Sequence, residues 1–351
     1  MLKDLCFEII QACPNNCMFC SSKSFKNAQP IIDIELFKKT VEYFIKNGGV
    51  EEISLSGGEP FLHPDLIEMV KFCKENNLRT VIFTSGIRRA GLITKPELND
   101  LYCIRNEKIK QIQAEEPDNI QLINRVKKFY NQFAVQNEFG ELQRKELDKL
   151  KQLGLDKIVF DYQAAEEETY NMLMGTRNFI TMLMKSIVQA RAAGLTTDVH
   201  FIPMNSNYKQ LPDLIDLLNI VGVENLSILN FVPQGRGKEN LKVLKLQKEE
   251  EKEFKEIFEF CKDKFNGKLR IGIPLLQEQE HLCTAGLEKI NIRYDGTILP
   301  CPAFKEIHSE TLQKFGIDLY NIRQDLEKMN INGGTRKHPL CKQIYGFDLE
   351  L

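Results

Sequence analysis

Tryptophan is absent from this 351-residue chain, and nothing functional follows from that. Other absences exclude more. No run of about eighteen apolar residues occurs, which excludes a membrane-spanning helix. No charged-then-apolar leader opens the chain, so a cytoplasmic protein without membrane attachment is expected. Net charge is only −2, and no basic surface argues for a nucleic-acid partner. The five histidines show no metal-ligand spacing such as His-Glu-x-x-His. No phosphate-cradling glycine loop is found. Apolar residues make up 42%, ample for a core, and the length allows one large domain or two ordinary ones.

What is present is cysteine, ten residues of it. In a chain without a leader, metal or catalytic use is favoured over disulfides. Three cysteines crowd one turn-rich loop, Cys13-Pro14-Asn15-Asn16-Cys17-Met18-Phe19-Cys20, just after the apolar run Leu5–Ile10. Three thiolates can hold three irons of a cubane [4Fe-4S] cluster and leave the fourth iron open as a reaction site. A structural zinc site would want a fourth protein ligand. Buried or zinc-binding cysteines are the alternative. A second motif lies about forty residues on, where the strand-like Glu52-Ile53-Ser54-Leu55 runs into Ser56-Gly57-Gly58-Glu59-Pro60. Glycines at a strand end allow close approach of a ligand to the backbone.

Together these segments resemble the radical S-adenosylmethionine (SAM) superfamily. Its cluster loop reads Cys, three residues, Cys, two residues, Cys, with an aromatic before the last cysteine, here Phe19. Its second strand ends in Gly-Gly-Glu-Pro, matched by Gly57, Gly58, Glu59 and Pro60. The resemblance implies that Cys13, Cys17 and Cys20 hold a [4Fe-4S] cluster whose open iron chelates SAM, with an external low-potential electron donor.

The alternation of short apolar runs with amphipathic helical patterns predicts a parallel α/β sheet. Strands are expected at about Leu5–Gln11, Glu52–Leu55, Thr80–Thr84 (ending in Thr84-Ser85-Gly86), Lys157–Tyr162, Thr197–Ile202 and Asn225–Phe231. Asp33 is the expected N-cap of a helix that Gly48-Gly49 end. Pro64 suits the first turn of the next helix, through Asn76. Further helices are expected at about Glu141–Leu153, Thr169–Ala193, Lys209–Val221 and Gln247–Phe265. A polar segment, about Arg88 to Gly140, reads as a partly helical insertion over the barrel mouth or partly mobile. The fold expected is a partial (β/α)6 barrel of the radical SAM type over 1–240, with ligands at the C-terminal strand ends. A linker helix region follows over 241–281.

Residues 282–351 hold a second cysteine constellation. Cys283 and Cys301 flank Ile290–Tyr294, Asp295-Gly296 and Thr297–Leu299, a strong hairpin signal. Twelve residues separate Cys283 from Gly296 and four separate Gly296 from Cys301. This resembles the opening of the SPASM and twitch extensions of radical SAM enzymes, as does Pro300-Cys301-Pro302. Cys341 is the natural third ligand. No cysteine lies between Cys301 and Cys341, so one auxiliary [4Fe-4S] cluster in a small twitch-like α+β extension is expected. The fourth position falls to Cys261, to His281, His308 or His338, to a carboxylate, or to an open iron. A zinc site or no metal is the alternative.

The resemblance assigns further SAM-site roles to Ser85 after strand three, Asp161 and Gln163 near the ribose, Asn207 after strand five, and Val232 in the strand-six exit near the adenine. Met204 stands where a basic residue is often expected. Arg236 reads as a carboxylate partner or an exposed loop charge. Cys6 and Cys73 read as small core residues, and Cys103 as a hydrogen-atom donor or nothing. Relatives with such tails often modify ribosomally made peptides, so a precursor peptide is the first expected substrate. The alternatives are a small molecule, such as a sugar, nucleoside or cofactor precursor, and a non-catalytic electron-transfer or sensor protein.

Overall fold

A computed structural model describes residues 2–90, 95–134, 138–271 and 283–328. Its centre is a ten-stranded sheet. In chain order the strands are β1 (Asp4–Ile10), β2 (Glu52–Gly57), β3 (Arg79–Thr84), β4 (Lys157–Asp161), β5 (Thr197–Phe201), β6 (Asn225–Ile228), β7 (Lys268–Ile271), β8 (Lys289–Ile292), β9 (Thr297–Leu299) and β10 (Tyr320–Asn321). Their spatial order is β10-β9-β8-β1-β2-β3-β4-β5-β6-β7. From β8 across to β7 in that order, each strand runs parallel to the next. β8, β9 and β10 form an antiparallel meander at one edge.

The α/β barrel expected from the alternation is therefore present, with two differences. β7 lies inside the stretch expected to be a linker and adds a seventh parallel strand beside β6. β8 hydrogen-bonds to β1, so the tail continues the barrel sheet.

Period-two alternation in β1 explains how the barrel is built. Leu5, Phe7 and Ile9 are fully buried, and Phe7 packs on Phe37 with ring centroids 4.9 Å apart. Phe37 belongs to helix α1 (Ile34–Gly48), which Asp33 caps by accepting from Leu36 N at 2.9 Å and Gly49 ends at φ 67°. Cys6 and Glu8 take the opposite side of the strand.

Helix α2 (Leu66–Glu75) starts later than expected. Pro64 precedes its N-cap, Asp65, because Pro60–Leu62 form a separate 3-10 turn. The helix expected over Thr169–Ala193 is two, α3 (Glu167–Met174) and α4 (Phe179–Ala192). Gly175, at φ 62°, terminates the first. Among the described residues no helix is long and apolar enough to cross a membrane.

Residues 89–140 form a second compact unit. It consists mainly of two helices, Lys95–Glu115 and Ile120–Ala134.

Candidate functional site

A cavity of about 370 Å³ opens at the C-terminal ends of the barrel strands, and Cys13, Cys17 and Cys20 all line it. Cys13 and Cys17 are buried and Cys20 half-buried. The loop that carries them is fastened from two sides. From the end of α3, the carbonyls of Met174 and Leu173 accept Asn16 N at 2.9 Å and Met18 N at 2.8 Å. From the loop after β6, Arg236 grips three carbonyls. Its backbone N donates to Cys20 O at 3.0 Å, Nε to Cys17 O at 2.8 Å and Nη2 to Ser24 O at 3.0 Å. Arg236 is thus half-buried and clamps the cysteine loop, not a loose surface charge. Glycine is required beside it: at Gly235 (φ +56°) a Cβ would lie 2.5 Å from Cys20 O.

Replacing Arg236 with methionine frees those carbonyls while keeping the stem. We expect a loss of about 2 kcal/mol in urea denaturation, the scale of hydrogen bonds from a charged donor. Unchanged stability would show that the α3 contacts hold the loop alone.

Burial pushes the Cys13 and Cys17 thiols well above the ordinary thiol range. Thiolates there need a cation beside them. Among the described residues no three Cys, His, Asp or Glu side chains are placed to hold a metal ion together. The fit of a cluster rests instead on donor chemistry, three soft ligands on one cavity wall. It rests also on orphaned polar atoms: the side chains of Asn15, Ser24 and Asn230 line the cavity, are at most 6% exposed, and have no hydrogen-bond partner among the described residues. Buried polar groups are rarely left so, and these three suit a polar ligand.

The Gly-Gly-Glu-Pro segment is built for packing. A Cβ on Gly57 would lie 2.4 Å from Ile10 O, and one on Gly58 2.1 Å from Ala12 O. The glycines therefore let β2 cross the exit of β1, where Gly58 N donates to Ile10 O at 2.6 Å. Both also border the cavity. Glu59 is fully buried. Its carboxylate accepts from Thr84 Oγ1 at 2.7 Å, Ser85 N at 2.7 Å, Ser85 Oγ at 2.5 Å and Phe61 N at 3.1 Å. Burial pushes its carboxyl up to about 7. Glu59 and Pro60 lie behind the cavity wall, whereas Ser85, held by Glu59, lines it.

Of the remaining expected residues, Phe19, Asp161 and Val232 line the cavity. Burial raises the Asp161 carboxyl to about 6, with a hydrogen bond from Gln163 opposing the shift. Gln163 and Asn207 are fully buried behind the wall. Gln163 Oε1 accepts from Ile202 N at 2.8 Å, and Asn207 ties Gln163 O at 2.7 Å to Met204 N at 2.6 Å. Both position the exits of β4 and β5. Met204 packs with Leu173 and Leu244 under Phe19 and Phe231. His200 and Lys305 also line the cavity and went unread in the sequence. Burial lowers His200 to about 3, a neutral imidazole beside Phe83.

In the tail, Cys283 and Cys301 meet in one small apolar cluster with Phe304 and Leu312. Cys341, His281 and His338 lie outside the described residues. Cys261 belongs to the main core instead, which removes it from the candidates for a shared site. Burial pushes Cys6 and Cys73 up to about 12, as inert core thiols. Cys103 is exposed in the 89–140 unit.

Residues 7–122 match the Radical SAM superfamily. The chain is 21% identical over 306 residues to PqqA peptide cyclase of Methylorubrum extorquens (strain PA1), covering 86% of this chain and 66% of that protein. It is 22% identical over 320 residues to the probable GTP 3′,8-cyclase of Methanococcus maripaludis (strain C7), covering 88% and 84%. Its fold superposes on Streptococcus suis SuiB bound to S-adenosylmethionine with a TM-score of 0.60 at 16% identity, covering 93% of this chain and 65% of SuiB. Native anSMEcpe with bound AdoMet gives 0.59 at 12% identity, covering 94% and 82%. The chain thus spans about two thirds of the cyclase and of SuiB.

Proposed function

We propose, from the premise that residues 7–122 form a radical SAM domain on an open α/β barrel, that this protein reductively cleaves SAM and modifies a ribosomally made peptide. The observation that carries the reading is the cavity that brings Cys13, Cys17 and Cys20 together with Gly57, Gly58 and Asp161. A [4Fe-4S] cluster, when bound, supplies the electron that splits SAM into methionine and a 5′-deoxyadenosyl radical, which takes hydrogen from a substrate C–H bond.

The chain's own residues do the rest. Cys13, Cys17 and Cys20 hold the cluster, and Arg236 fixes their loop. Asp161, Ser85, Phe19 and Val232 orient SAM from the wall. Glu59, Gln163 and Asn207 set the strand exits that carry these residues. Cys283, Cys301 and Cys341 hold an auxiliary cluster. The peptide substrate is supported by the likeness to PqqA peptide cyclase and to SuiB bound to precursor peptide SuiA, at TM-score 0.55. The probable GTP cyclase, matched over 84% of its length, favours a second reading, a nucleotide or other small-molecule substrate.

The test is anaerobic reconstitution, SAM and dithionite, with 5′-deoxyadenosine as the readout. No deoxyadenosine sinks the reading. With it, a mass change in a short peptide encoded nearby selects the peptide substrate. A mass change only in a nucleotide selects the second.

The orphaned carboxamide of Asn230 gives a separate check. Asn230→Leu removes the carboxamide while keeping the bulk of the side chain. The SAM-induced rise in melting temperature should shrink or vanish. An intact SAM response would contradict a ligand contact at Asn230.

A further inference from the structure

We propose that Lys305, delivered by the tail, is a positioning residue for the cysteine loop, and that it couples the Cys283–Cys301 core to the N-terminal site. Its side chain is 8% exposed and ion-pairs with Glu8 of β1, 3% exposed. Its ammonium also donates to Ser21 Oγ at 3.0 Å and Ser22 Oγ at 2.6 Å. An ammonium has three protons, and these three partners use them. Two of the partners directly follow Cys20. The next tail residue extends the grip. Glu306 N donates to Gln234 Oε1 at 3.2 Å, and the Glu306 carboxylate pairs with Lys23 at 2.9 Å. Residues 305 and 306 therefore hold both the cysteine loop and the loop that carries Arg236.

The same short turn reaches the other cysteines. Lys305 follows the 3-10 turn Pro302–Phe304, whose Phe304 is 1% exposed in the cluster with Cys283 and Cys301. Pro302, Ala303 and Lys305 border the main cavity. A shift of Cys301 is thus passed through one turn to the segment beside Cys20. A buried ion pair is a poor device for stability, because desolvation offsets the attraction. Its value here is placement, with a compensated charge beside the cysteines.

The test uses the full chain with Lys305→Met, Lys305→Arg and the double variant Glu8→Gln/Lys305→Met. Before iron is added, iodoacetamide labelling is followed by peptide mass spectrometry at Cys20, with fully buried Cys73 as the control for unfolding. We expect Lys305→Met and the double variant to label Cys20 about tenfold faster relative to Cys73, because the segment opens locally. Lys305→Arg should stay near wild type. An unchanged Cys20/Cys73 ratio in both methionine variants overturns the proposal, whatever their melting temperatures. If Lys305→Met alone fails to fold, the double variant decides, since it leaves no unpaired buried charge.

A second arm rests on the cluster reading and tests the charge. Lys305→Met should lower the midpoint potential of the SAM-responsive EPR signal, because it strands the Glu8 carboxylate near the cluster. Glu8→Gln in the double variant should return it toward wild type. A potential that does not follow this charge order removes the electrostatic part. Failure to load a cluster counts against the proposed function and leaves the labelling result standing.

Discussion

Replacing Cys13, Cys17 and Cys20 together with alanine is expected to lower the iron content from about eight to about four per chain, and to abolish deoxyadenosine formation. Cys6 in β1 and Cys73 on α2 do not line the cavity and so do not replace the three. The fold should survive, since the loop is held through main-chain carbonyls by Arg236 and by the end of α3. The complementary Cys283→Ala/Cys301→Ala variant should also lose about four irons, yet still cleave SAM. Together the two outcomes would establish an auxiliary cluster and make oxidative chemistry on the substrate worth pursuing. About four irons falling to none would leave one cluster and a tail that binds zinc or nothing. Redox-neutral chemistry, such as epimerisation or rearrangement, would then be favoured.

Local features were legible in the sequence. β1 to β6 announce themselves by apolar runs, α1 by its Asp33 cap and Gly49 terminus, and the tail hairpin by Asp295-Gly296, where Gly296 takes φ +89°. β7 escaped because it is short and charged, with Lys268 and Arg270 among its four residues. The break between α3 and α4 escaped because a single glycine, Gly175, is tolerated within a helical pattern and apolar residues resume at Phe179 and Ile180. The site was legible where its chemistry is sequence-local, in the cysteine triplet and the Gly-Gly-Glu-Pro turn, and where the family resemblance pointed to Ser85, Asp161 and Val232, which line the cavity. Arg236 reaches the cysteine loop across 219 residues and Lys305 across 283, and no periodicity reports such pairings. In the turn a second demand for glycine was not legible, since Gly57 and Gly58 also pack against the backbone of β1 and the residues just after it.

Glu59 carries the second large effect. Glu59→Ala strands two hydroxyls and two backbone N–H groups that the buried carboxylate satisfies. A loss of about 3–5 kcal/mol is expected, the range for removing one partner of a buried charged network. Glu59→Gln keeps the shape and isolates the charge. Burial raises the folded-state carboxyl from 4.5 to about 7, so the folded chain holds this proton more tightly than the unfolded chain. Below about pH 4.5 both states are protonated and the group's contribution to stability is complete. As pH climbs towards 7 only the unfolded chain releases the proton, and stability falls by up to about 3 kcal/mol. Urea denaturation of wild type and Glu59→Gln at intervals across that window should show the wild type losing this advantage as pH rises. The opposite slope would mean that four donors outweigh burial and hold the carboxylate ionised. The cavity would report the same event: Ser85 lines it and Glu59 holds both its N–H and its hydroxyl. Glu59→Gln should therefore also weaken the SAM-induced rise in melting temperature, although residue 59 lies behind the wall.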